Sequence, residues 1–147
     1  MEKRTIGICC DHAGFEMKEY LVCCMKKWEM PFKDFGTFSP DSCDYPDFAH
    51  AMAKAMEAGI VSPCIAICGS GNGIAMTLNK HLMVRAALCW KKELAVLARA
   101  HNDANVVVLP GRFLCNEEAE EIVSAFLSSP YEGGHHQPRI EKIPLID

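Results

Sequence analysis

Cys68 stands directly before Gly69-Ser70-Gly71-Asn72-Gly73, so a thiol precedes three glycines at alternate positions. Such glycines let backbone N–H groups come close to a ligand at a helix start, a geometry that holds anions. A tight strand-to-helix turn is the plainer reading of the same pattern. A free thiol has a pKa of about 8.5, which a helix N-terminus lowers, so Cys68 is a candidate base or nucleophile. A buried packing cysteine is the alternative, and the chain holds nine cysteines. Asp11-His12 follows an apolar run, and His101-Asn102-Asp103 precedes another. Each reads as a candidate polar site or as ordinary turn and helix-end chemistry. Arg112 and Arg139 offer the forked donors that suit a phosphate, or are solvated surface arginines.

Several chemistries do not fit. No Gly-Lys-Ser/Thr follows the glycines, so they are not a nucleotide P-loop. Ile74 occupies the last position of G-x-G-x-x-G, and no acidic residue ends the next apolar run, so a dinucleotide site is not expected. No C-x-x-C is present, and Cys64 and Cys68 flank an apolar run that suits packing. His135-His136 invites a metal, but the histidines are read as lacking H-x-x-x-H or carboxylate spacing, so no metal site is expected.

The elements that must position these residues alternate. Apolar runs at 5–10, 31–35, 63–68, 85–89 and 105–109 read as strands. Longer amphipathic runs at 15–28, 46–58, 74–81, 93–100 and 116–128 read as helices, the last with Asn116 as N-cap. Continuous rather than alternating apolar strands indicate a parallel sheet covered on both faces, a doubly wound α/β fold. Ligands in such sheets bind at the carboxyl ends of strands, which selects Asp11-His12, 68–73 and Arg112. At that edge Cys68 is expected to be half exposed. His101 lies at the end of its helix, where it need not reach the carboxyl edge of its own sheet and is a candidate to serve a neighbouring subunit. The stretch 131–147 has little periodicity and reads as a tail, an arm across a partner, or a lid.

The 147 residues fit one domain, with 131–147 as its C-terminal arm. A net charge of -4 excludes a broad nucleic-acid surface, and no apolar run approaches the ~18 residues that span a membrane. The N-terminus has no signal-peptide layout, so the cysteines are expected as reduced thiols in a cytoplasm.

Five strings carry a resemblance: Cys10-Asp11-His12-Ala13-Gly14-Phe15, Asp44-Tyr45-Pro46, Ile67-Cys68-Gly69-Ser70-Gly71-Asn72-Gly73, His101-Asn102-Asp103-Ala104-Asn105, and Tyr131-Glu132-Gly133-Gly134 with Arg139. In order and spacing, over essentially the whole chain, they resemble the type B ribose-5-phosphate isomerases. That group is part of a wider family that includes allose- and galactose-6-phosphate isomerases. The resemblance implies a Rossmann-like homodimer, or a dimer of such dimers, with each site built from both subunits and no metal or cofactor. It implies an aldose–ketose isomerase acting on a small phosphorylated sugar. Cys68 matches the proton-transferring base, and His101 the residue that opens the furanose ring. Ser70 is placed to pass a proton between sugar oxygens. Asp11, His12, Tyr45, Gly69, Ser70, Gly71, Asn72, Gly73, Asn102, Arg112 and Arg139 fall on ligand-contacting positions.

Two departures bear on the implied chemistry. Some members carry a glutamate directly after G-N-G; here that position is Ile74, which leaves the base role to Cys68. The ribose enzymes commonly carry Arg where this chain has His135, beside the retained His136. A histidine holds only partial charge at neutral pH, so His135 substitutes at the phosphate, or phosphate binding leans on Arg139, Arg112 and His12, or the preferred sugar differs. An isomerase of a six-carbon sugar phosphate is therefore the main alternative, and a non-catalytic phosphosugar-binding protein the alternative of another class. A nucleotide-binding oxidoreductase ranks last.

Overall fold

The apolar runs at 6–10, 64–68 and 106–110 become central strands because every one of their residues is buried, on one face or the other, while the edge strands at 32–34 and 86–88 are only partly covered. The computed structural model describes residues 4–146; Met1, Glu2, Lys3 and Asp147, the ends of the span expected as one domain, lie outside them. The strands are β1 (Ile6–Cys10), β2 (Phe32–Asp34), β3 (Cys64–Cys68), β4 (Ala86–Leu88) and β5 (Val106–Pro110). The helices are α1 (Phe15–Lys27), α2 (Tyr45–Glu57), α3 (Asn72–Leu78), α4 (Lys92–Asn102), α5 (Asn116–Ser128) and α6 (Gln137–Glu141). All strand pairs are parallel, in the order β2-β1-β3-β5-β4. This is the Rossmann-like doubly wound sheet expected from the alternation of elements. No helix among the described residues is long and apolar enough to cross a membrane.

The strand period of two divides the core. Ile8, Cys10, Ile65, Ile67, Val107 and Leu109 pack with α1, α4 and α5 through Leu21, Met25, Ala95, Ile122 and Phe126. Cys9, Cys64, Ala66, Cys68, Val106 and Val108 pack with α2 and α3 through Met52, Ala53, Ile74 and Leu78. Lys18, fully buried in α1, is held by the Asp34 carboxylate at 2.5 Å, which ties that helix to the end of β2.

Six of the nine cysteines are buried, and all nine are free thiols. Burial pushes Cys10 and Cys64 up to about 12 and Cys89 up to about 11, and raises Cys9 well above its ordinary value. These four are packing residues held as neutral thiols.

Three boundaries differ from the sequence expectation for physical reasons. Gly71 takes the left-handed backbone (φ 80°), which turns the chain early, so α3 starts at Asn72 inside the glycine loop rather than at Ile74. The N-cap of α5 is Cys115, not Asn116, because the Glu118 carboxylate accepts from the Cys115 N–H at 3.0 Å and closes a capping box. The stretch after Tyr131 is not a featureless tail. It forms a 3-10 turn (Gly134–His136) and α6, with Ile140 buried.

Candidate active site

The sheet order reverses direction between β1 and β3, where β1 leads outward to β2 and β3 lies on its other side. A crevice opens at such a switch point, beyond the carboxyl ends of the two strands. It is a cleft of about 510 Å³ lined by Asp11, His12, Cys43, Tyr45, Gly69 and Arg112, among others. Five of the candidates from the sequence therefore meet in one place.

Asp11 is buried, and its Oδ1 accepts from Ala13 N–H at 3.0 Å and Gly14 N–H at 3.1 Å. That caps the 3-10 turn His12–Gly14 and aims His12 across the cleft. The Cys43 N–H donates to His12 Nδ1 at 3.3 Å. A neutral His12 therefore carries its proton on Nε2.

Cys68 is the last residue of β3, opposite Pro110 in register, and its carbonyl accepts from Gly111 N–H at 2.8 Å. It is only 4% exposed, not the half-exposed residue expected, because strand alternation turns it toward the α2/α3 face. The loop beyond it is shaped by its glycines. A Cβ at Gly71 would collide with Leu88, and one at Gly73 would collide with the Tyr45 ring. Gly73 thus lets Tyr45 lie directly against the loop. Ser70 Oγ accepts from Asn72 N–H at 3.2 Å, and Arg112 passes 3.3 Å from where a Cβ on Gly69 would stand.

The remaining candidates do not join this cleft. His101 and Asn102 end α4, which runs back to the amino edge of the sheet, just before β5. Asp103 stops that helix in the left-handed conformation (φ 46°), held by Arg99 Nη1 at 2.7 Å and by Arg85 Nη2 on its carbonyl at 2.8 Å. The C-terminal arm docks here, through the Glu132 N–H on the Ala100 carbonyl at 3.0 Å. The His101 and His136 rings stack at 4.4 Å, and His135 tilts against His136 at 4.1 Å. Burial, with His135 and His101 alongside, holds His136 below the ordinary imidazole value, partly opposed by Glu132. Arg139 is exposed on α6, in the same arm as His135, so His101, Asn102, His135 and Arg139 make up a second group of candidates, on the end of α4 and on the arm docked against it, apart from the cleft.

Two features escaped the sequence reading. Cys43 lines the cleft and holds His12, a contact between residues far apart in the chain that only the fold reveals. Glu132 and His136 do have carboxylate spacing, four residues apart, which corrects the reading that the histidines lack it; their side chains meet at 3.5 Å.

The family model for ribose/galactose isomerases matches residues 6–143. The chain belongs to this family. It is 40% identical to the ribose-5-phosphate isomerase B of Escherichia coli (strain K12), over 100% of this chain and 97% of that one. Among solved members, a ribose 5-phosphate isomerase of Thermotoga maritima superposes with a TM-score of 0.94 at 41% identity, covering 97% of this chain and 98% of that one. The ribose-5-phosphate isomerase B of Mycoplasma genitalium, with bound ribulose-5-phosphate, superposes with a TM-score of 0.89 at 40% identity, covering 95% of this chain and 93% of that one.

Proposed function

We propose that this chain is an aldose–ketose isomerase that interconverts ribose 5-phosphate and ribulose 5-phosphate. The observation that carries the reading is the cleft at the β1/β3 switch point, where Asp11, His12, Tyr45, Gly69 and Arg112 converge beside Cys68. The ribulose-5-phosphate held by the Mycoplasma genitalium relative supports the choice of sugar.

In this reading Cys68, as a thiolate, takes the proton from C2 of the open-chain aldose. The charge left on the enediolate oxygens is met by backbone N–H groups of the 69–73 loop. Ser70 passes a proton from O2 to O1, and Cys68 returns its proton to C1. Tyr45, Asp11, Asn72 and Asn102 hold the sugar hydroxyls. His101 opens the furanose ring before proton transfer. His12, Arg112, His135 and Arg139 surround the phosphate.

These roles need both clusters at one substrate, so the enzyme works as a homodimer in which the partner supplies His101, Asn102, His135 and Arg139. An apolar stripe on α4 supports this arrangement. Leu94 (44% exposed), Leu97 (45% exposed) and His101 recur at helical spacing on one face, and a face that leads to His101 suits burial against a second copy. Nine free thiols suit a reducing compartment, the cytoplasm.

His135, standing where the ribose enzymes of the resemblance carry Arg, favours a second reading in which a six-carbon sugar phosphate is preferred. The test is an isomerase assay on ribose 5-phosphate and allose 6-phosphate with no metal added. Turnover with the higher kcat/KM on the ribose ester is expected; a higher value on the allose ester selects the second reading, and turnover of neither sinks both.

A further inference from the structure

Three donor atoms converge at the end of α4. Glu132 Oε2 lies 3.8 Å from His101 Nε2 and 3.5 Å from His136 Nε2, and all three atoms fall within 4.8 Å of one another. A tetrahedral zinc ion, with its ligands at about 2.0–2.1 Å, holds them about 3.3 Å apart. The two edges to the carboxylate are already close to that spacing. The third edge closes by a side-chain movement. The His101 and His136 rings lie nearly parallel, 16° between planes, with both Nε2 atoms near Glu132 Oε2. Turning the His101 ring out of the stack aims both at one ion, and that side chain is 43% exposed.

The cluster is anchored through the backbone. The Glu132 N–H on the Ala100 carbonyl fixes the arm one residue from His101, and Glu132 and His136, four residues apart, bring their side chains together. His136 is mostly buried and serves as the fixed member of the set. Two imidazoles and one carboxylate are the ligands of a borderline metal such as Zn²⁺ or Co²⁺, with the fourth position left to water. Mg²⁺ and Ca²⁺, which favour all-oxygen sites, do not suit it.

We propose that His101, Glu132 and His136 form a divalent transition-metal site, and that filling it inhibits the enzyme by taking His101 Nε2 away from the sugar ring. The inhibitory part rests on the reading of His101 given under Proposed function. The metal is a regulator or inhibitor, not a participant in isomerisation.

The test titrates the full-length protein with Co²⁺ and follows the visible absorption of the tetrahedral ion. One saturable ion per chain is expected. Glu132→Gln should weaken it at least about tenfold, and His136→Asn should do the same from the other side of the site. His81→Asn, which alters the separate Glu57–His81–His50 contact, should leave Co²⁺ affinity unchanged. In parallel, Zn²⁺ should inhibit turnover of ribose 5-phosphate, EDTA should restore it, and Glu132→Gln should shift the inhibition midpoint by the same factor as the binding. Absence of saturable binding, unchanged affinity in both site variants, or full turnover at saturating Zn²⁺ overturns the proposal. A protein inactive without any metal contradicts the isomerase reading instead, and the Co²⁺ titration then decides the metal site by itself.

Discussion

Cys68 and His101 stand at opposite edges of the same sheet. Cys68 ends β3 at the carboxyl edge, while His101 lies just ahead of β5, whose first residue, Val106, pairs with Cys64 at the start of β3. Four strand steps of about 3.3 Å, roughly 13 Å, separate the two edges. Within one chain, a ring-closed pentose cannot touch both residues.

Mixed dimers read this separation directly. Cys68→Ala and His101→Asn should each be inactive alone on ring-closed substrate. Mixed at equal concentration and allowed to exchange subunits, half the dimers become heterodimers, each with one intact site, so about a quarter of wild-type activity should return. The check is turnover before and after exchange. No recovery would mean that each site draws both residues from one chain.

Gly71 carries the shape of the 69–73 glycine loop. Its left-handed backbone and its contact with Leu88 both exclude a side chain. Gly71→Ala should cost about 1–3 kcal/mol of stability. In the proposed mechanism the N–H groups it displaces serve the enediolate rather than the ground state, so it should lower kcat more than it raises KM. Denaturant melts and steady-state kinetics test this, and an unaltered kcat would remove the loop from the chemistry.

The fold was legible in the sequence because β1, β3 and β5 are continuous apolar runs, which only a sheet covered on both faces accommodates. The cleft residues were legible for a related reason: strand ends define the binding edge, and Asp11, His12 and Gly69 all follow strand ends. The position of His101 at a helix end already pointed away from its own cleft. The misses have local causes. Cysteine is not a usual N-cap, so Cys115 was hidden behind Asn116. The arm has no period because it is held by scattered contacts, the buried Ile140, the Glu132 N–H on the Ala100 carbonyl and the His136 ring on His101, rather than by an amphipathic face. Cys68 was expected to be more exposed because the last residue of a strand is often open, whereas here its side chain turns toward the α2/α3 core.

Away from the site, Tyr20 ties α1 to α5. Its hydroxyl donates to Glu120 Oε1 at 2.7 Å, and Cys24 donates to the same oxygen at 3.1 Å. The hydrogen bond to Glu120, with burial, pushes Tyr20 up to about 12, above the ordinary phenol value of about 10. The folded state therefore keeps this proton at a pH where the unfolded chain releases it. Stability from the pair is full below pH 10 and falls as pH rises from about 10 to about 12. Tyr20→Phe should be less stable than wild type at pH 8, and the gap should shrink toward pH 12. Guanidinium unfolding at both ends of that range checks the sign; a gap independent of pH would contradict it.

The central claim is isomerisation of ribose 5-phosphate with Cys68 as the base. The direct measurement is the rate of ribulose 5-phosphate formation by wild type and Cys68→Ala, side by side, in metal-free buffer. Wild type should turn over, and the variant should lose at least about a thousandfold in kcat with its fold and melting behaviour retained. A folded Cys68→Ala enzyme with near-normal turnover, or a wild type that leaves ribose 5-phosphate unchanged, would contradict it.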